Sequence, residues 1–160
     1  MSQPANAQQI GTIEAIAIRT AKEGPMQLIQ HATVAVDGGI EGDLPTSPRR
    51  GITFISAEQW DETMQELNVD LPWHTRRANI LVRGLKLTET FDCTLEIGDV
   101  RICVEGETNP CELMDRLQSG LMDALKPEVR GGVHGQVLKA GTFAVGDAIK
   151  AQPKQTNAAV

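Results

Sequence analysis

TLEIGDVRICV, residues 94–104, is two short apolar runs, 94–97 and 100–104, that meet at Gly98-Asp99. A Gly-Asp pair between such runs marks a tight β-hairpin, because the turn needs backbone angles that glycine adopts without a steric penalty. AVGDAIK at 144–150 looks like EIGDVRI at 96–102, each with Gly-Asp between apolar runs. Seven residues are too few for an internal repeat, and similar turns explain the likeness. Further β segments read at 11–19, 28–36 (closed by the turn signal Asp37-Gly38-Gly39), 50–55, 78–82, 133–139 and 142–150. Residues 40–48, with Gly42, Asp43, Pro45 and Pro48, read as a loop. Ser56-Ala57-Glu58-Gln59 has the form of a capping box, and Trp60, Met64 and Leu67 follow at the spacing of an amphipathic helix with Trp60 in the core. Many short strands interrupted by two or three helices predict a mainly β fold, a closed or strongly bent β-barrel rather than a doubly wound parallel sheet.

The chain has 160 residues, 41% hydrophobic and 22% charged, which suits one domain. That domain is expected at 10–150, with flexible tails at 1–9 and 151–160 that are rich in Ala, Gln and Asn. Fifteen Gly, eight Pro and only 3% aromatic residues point to many turns around a core of Ile, Leu and Val. A net charge of -6 argues against nonspecific binding to nucleic acid or anionic lipid. No apolar run approaches the roughly 18 residues that span a bilayer, and MSQPANAQQ lacks the basic and apolar regions of a signal peptide. A cytoplasmic location is expected. Three cysteines, an odd number, in a reducing compartment leave at least one free thiol.

Positive charge is nonetheless concentrated: five of nine arginines fall at Arg49, Arg50, Arg76, Arg77 and Arg83, and Arg130 precedes Gly131-Gly132. The planar guanidinium fork suits phosphate and carboxylate, so a focused anion site is one reading and scattered surface charge the other. The stretch from Thr108 to Asp115 combines a helix start with a thiol. Asn109 is a good N-cap, Pro110 fits the first helical position, and Cys111 then falls at the second, where free N–H groups favour thiolate over thiol. Glu112 and Asp115 oppose this, and a buried structural cysteine is the alternative. Cys93 and Cys103, in or beside apolar strands, are expected in the core. His31, His74 and His134 have no partner at zinc-ligand spacing, and a Cys111–His134 pair for acyl transfer finds no support in spacing alone. Gly38-Gly39-Ile40-Glu41-Gly42-Asp43 is not a dinucleotide phosphate loop.

Five segments in order resemble the MOSC domain, the module at the C-terminus of molybdenum cofactor sulfurases that also occurs as stand-alone bacterial proteins. They are GIEGD (39–43), ITFISAEQW (52–60), RANILVRGL (77–85), IGDVRICVEGETNPC (97–111) and RGGVHGQVLKAGTFAVGD (130–147). The resemblance implies a MOSC-type β-barrel with a few short helices that binds molybdenum cofactor (molybdopterin), with Cys111 as molybdenum ligand or as sulfur (persulfide) carrier. Arg77, Asn79 and Arg130 match recurring positions and are expected to donate to the cofactor, while Arg76, Arg49 and Arg50 add charge around its mouth. Relatives that reduce N-hydroxylated compounds imply the same activity here with an external electron donor; a carrier role implies a sulfur donor protein. At 160 residues the chain leaves no room for a pyridoxal phosphate desulfurase domain. A non-catalytic barrel for a small anionic ligand, or a sulfur-transfer adaptor, is the alternative. Many members follow GIEGD with Arg-His, whereas this chain has Leu44-Pro45.

Overall fold

The computed structural model describes residues 8–154. Ten strands run in chain order: β1 (Gln9–Arg19), β2 (Met26–Ile29), β3 (His31–Val34), β4 (Ile52–Ser56), β5 (Ile80–Arg83), β6 (Cys93–Ile97), β7 (Val100–Glu107), β8 (Val133–Lys139), β9 (Gly141–Ala144) and β10 (Ala148–Pro153). Three short helices interrupt them: α1 (Ala57–Leu67), α2 (Glu112–Leu117) and α3 (Leu121–Ala124). Hydrogen bonding follows the order β10-β6-β7-β8-β4-β5-β1, and β1 also pairs with β10, so seven strands close into the expected barrel. Strand β1 closes it by being long. Its start pairs with β10, its length pairs with β5 across a bulge between Ile13 and Ala15, and its end from Ile16 to Arg19 carries β2 as an added edge. Strands β3 and β9 form a separate two-stranded sheet.

The β6–β7 hairpin pairs Ile97 with Val100 around Gly98, at φ 57, as the Gly-Asp turn requires. Only β4 and β5 are parallel, and a parallel pair needs a crossover, which α1 supplies. Ser56 ends β4 and caps α1, its hydroxyl accepting from the Gln59 N–H at 3.2 Å. Gln59 does not return the bond; its amide nitrogen donates instead to the Glu128 carbonyl.

Inside the barrel Ile13, Phe54, Ile80, Leu95, Ile102, Val133 and Ile149 are fully buried. A second cluster lies outside the barrel wall, where Ile55 and Leu81 meet Trp60, Met64, Met114, Leu121 and Leu125. Strands β4 and β5 are therefore apolar on both faces, one toward the barrel and one toward the helices, which fixes α2 against the wall.

Three boundaries depart from the sequence reading. The segment at 28–36 is two strands in two sheets, broken at Gln30, whose carbonyl accepts from Val145 N–H as the chain leaves its pairing with β1 for pairing with β9. The segment at 142–150 is likewise divided by a turn at Gly146-Asp147, where the Asp147 carboxylate accepts from Ala144 N–H at 2.8 Å. The sheet also takes in Gln9 and residues 151–153, which the sequence reading assigns to the tails; the tail residues 1–7 and 155–160 lie outside the described residues. Among the described residues, no helix is long and apolar enough to cross a membrane.

Asn79, just before β5 and 1% exposed, joins three strands. Its Oδ1 accepts from the N–H and hydroxyl of Thr53 at 3.1 and 3.2 Å, and its Nδ2 donates to the Ala17 carbonyl at 3.1 Å. Asn79→Ala leaves the buried Ala17 carbonyl and the part-buried Thr53 without these bonds, and urea unfolding is expected to show a loss of about 1–3 kcal/mol. A loss below about 0.5 kcal/mol, the ordinary range of a neutral surface change, contradicts this role.

Candidate functional site

A cleft of about 150 Å³ opens where the end of β1, the turn before β5 and the start of α2 meet, lined by Arg19, Arg50, Thr53, Arg76, Arg77, Thr108 and Cys111. Of the three cysteines Cys111 alone is exposed; Cys93 and Cys103 are buried, as expected, and burial raises the pKa of both thiols. Cys111 does not sit in the first turn of the helix. It is the N-cap of α2, extended at φ -124 and ψ 178, and its side chain makes no capping bond. The reason lies upstream. Thr108 N–H donates to the Gly132 carbonyl at 2.8 Å and Thr108 O accepts from Arg76 at 2.9 Å, so the chain up to Pro110 is held against the 131–132 loop and turns helical only after Cys111. The thiol therefore makes no bond to the helix N–H groups and shares its cleft with guanidinium groups.

Arg76 ends a 3-10 turn, Trp73–Arg76, and is 7% exposed. Its Nε donates to Gly131 O at 3.0 Å and its Nη2 to Thr108 O. Burial pushes its pKa down to about 10, opposed by the neighbouring Cys111 and aided by Arg50, so it remains charged at neutral pH. Gly131 permits this contact, since a Cβ there would come 2.5 Å from Thr108 O. Arg77 follows in the left-handed region at φ 66. It donates to the carbonyls of Gly24 and Ala21, pinning the loop after β1, and burial together with Arg19 holds its pKa below the ordinary arginine value. Arg19 is a different case. Asp43 receives it in two bonds, at 3.2 and 2.9 Å, and also accepts its backbone N–H at 2.7 Å.

A family model for the MOSC domain matches residues 41–150. The chain belongs to the MOSC domain family. Members of that family are associated with molybdenum cofactor binding. The fold is similar to that of the YuaD protein from Bacillus subtilis, with a TM-score of 0.78 and 20% identity over 93% of this chain and 99% of that one. It is also similar to YiiM from Escherichia coli (TM-score 0.67, 14% identity, 91% and 69% covered) and YiiM from Geobacillus stearothermophilus (TM-score 0.63, 13% identity, 91% and 75% covered). No curated protein matches this MOSC chain in sequence.

Four of the expected site residues of this MOSC domain meet in the cleft: Cys111, Arg76, Arg77 and Arg50. Three do not line it. Asn79 lies in the sheet beneath, Arg49 pairs with Glu105 at 2.9 Å, and Arg130 is turned toward α1, where Glu66 receives it at 2.8 and 2.9 Å. The sequence reading missed Arg19 and the cleft position of Thr108 and Thr53. Asp43 in GIEGD was the available signal for Arg19, but the 24-residue separation hides the pair until the barrel closes. The departure at Leu44-Pro45 falls where the backbone makes the contacts, Leu44 N–H donating to Arg19 O at 3.0 Å and Leu44 O accepting from Arg19 at 3.3 Å.

His134 on β8 stands behind the cleft, its Nδ1 3.3 Å from the Thr108 hydroxyl; among the described residues it makes no hydrogen bond to Cys111. Burial lowers its pKa below 6.5, and Arg50 lowers it further. The unfolded chain therefore takes up this proton at a higher pH than the folded one, so the contribution is fully present above about pH 6.5 and is lost as pH falls below it. Proton NMR titration is expected to place the His134 imidazole below 6.5 and to move it upward in Arg50→Gln. An unchanged or lower value in that variant contradicts the placement of Arg50.

Proposed function

We propose that the cleft holds the anionic part of molybdenum cofactor and that Cys111 is its molybdenum ligand or a sulfur carrier. One observation carries this reading: Arg50, Arg76 and Arg77 converge beside the exposed thiol, and among the described residues none of the three has a carboxylate ion-pair partner. Arg76 and Arg77 donate to neutral carbonyls, so their charge is held in place without a carboxylate bonded to it. In a chain of net charge -6 such a concentration suits an anion, and a phosphate matches the guanidinium fork.

The donor set fits the cofactor at both ends. Guanidinium groups suit its phosphate, and a thiolate is the soft ligand that a thiophilic metal takes. When bound, the cofactor supplies a two-electron centre, with which an N-hydroxylated substrate, two protons and two electrons yield the reduced nitrogen compound and water. The chain's own residues bind and orient: Arg76 ties the Cys111 segment to the 131–132 loop, Arg77 fixes the loop after β1, and Thr108 presents a hydroxyl backed by His134. Electrons come from a separate donor protein in the enzyme reading. In the carrier reading a sulfur donor protein loads Cys111.

Molybdenum and oxidised-pterin fluorescence, measured on protein purified anaerobically from a molybdenum-replete host, test the proposal. Wild type is expected to hold both near one per chain, and Cys111→Ala to lose most of its molybdenum. Wild type that takes up neither, even when given free cofactor, overturns it and leaves a barrel for another anion.

A further inference from the structure

Beside the Cys111 cleft runs a second cavity of about 240 Å³, separate in lining but joined to it at Arg77 and Leu113. Its walls are the 23–26 loop on one side and α2 on the other, with Pro72, His74 and Thr75 along one edge. The apolar groups in it are Pro25, Met26, Leu113 and Leu117. Leu113 and Leu117 are four residues apart, so they line one face of α2, and Leu117 lies about 9 Å along the helix from Cys111. Leu117 is 47% exposed, so its side chain is open to a ligand in the groove.

The groove is built to keep its shape. Arg77 donates to the carbonyls of Gly24 and Ala21, and Glu23, in the left-handed region at φ 58, reaches across to Arg116 of α2 at 3.1 Å. Both ties join the loop to the elements that carry the cleft.

We propose that this groove is the specificity subsite of the cleft and takes the flat, apolar ring of a small substrate whose polar reacting group lies at Cys111. An apolar cavity of about 150 Å³ accommodates benzene, so this one suits a single ring with a substituent or a small fused ring. It is too short for a peptide segment. Arg77, at the junction, places a cation beside the ring and faces the polar end. The inference rests on the cleft being the reacting end of the site. Its test, however, needs only the thiol and no molybdenum, so failure of the groove and failure of the cofactor reading are told apart.

The probes are iodoacetamide and N-benzyl-iodoacetamide, each of which alkylates a thiolate with loss of iodide; rates at Cys111 are read by peptide mass and divided by the rates with glutathione. An apolar group that fits a hydrophobic pocket gains about tenfold or more, so wild type is expected to favour the benzyl reagent by at least that factor, with saturation. Leu117→Glu and Met26→Glu are expected to abolish the preference, and Leu138→Glu, an exposed leucine of β8 outside the groove, to retain it. A normalised ratio near one in wild type, or a preference that survives both groove variants, overturns the assignment.

Discussion

The site depends on a guanidinium that has been taken out of water. Arg76 is 7% exposed, and a buried cation is tolerated only where its donors are met. Two of them are met by carbonyls, Thr108 O and Gly131 O, which belong to segments on either side of α2 and α3, and the rest of the guanidinium borders the cleft. Because Arg76 can satisfy both only if the segments converge, its side chain joins the Thr108 N–H bond to Gly132 O in fixing where Cys111 stands. The same constraint explains Gly131, where a Cβ would collide with Thr108 O, and the late start of α2. Neutral partners leave the positive charge uncancelled, which is what an anion site needs.

The barrel supplies the frame for this arrangement. Its parallel β4–β5 pair brings in a crossover helix, and the strand faces turned away from the barrel interior pack the helices. Arg76 and Arg77 lie in the turn that leads into β5, while Arg19 ends β1 beside the added strand β2. The cleft thus forms at one end of the closed sheet, where chain segments distant in sequence meet. Its cations are of two kinds: Arg19 is ion-paired with Asp43 and holds the wall, whereas Arg50, Arg76 and Arg77 line the cleft with no carboxylate ion pair among the described residues.

The hairpin at 94–104, the strand at 133–139 and the Ser56 cap were legible because turn chemistry and local periodicity determine them. The turn at Gly146-Asp147 carried the same Gly-Asp signal, whereas the break at Gln30 was less legible, since a continuous apolar pattern does not say when a chain leaves one sheet for another. For the site, sequence singled out Cys111 and the arginine pairs at 49–50 and 76–77 but could not sort them. Arg49 and Arg50 are adjacent, yet one faces Glu105 and the other the cleft. Arg130, expected at the cofactor, here donates to Glu66 instead. Which carboxylate reaches which guanidinium is decided by separations of 24 to 64 residues, visible only after folding. The helix-start signal at Asn109-Pro110 was real locally and was overruled by the tertiary bonds of Thr108.

The central claim is that this cleft recognises a phosphate-bearing pterin through uncompensated guanidinium charge. Isothermal calorimetry of the wild-type protein with an oxidised pterin phosphate and with its dephosphorylated form tests it directly. The Debye length falls from about 30 Å at 0.01 M salt to about 3 Å at 1 M. The phosphorylated form is expected to bind at least about tenfold more tightly at 0.01 M salt, a single charge-assisted fork being strong enough for that, with the advantage shrinking at 1 M. Equal affinity for the two forms at low salt contradicts the claim.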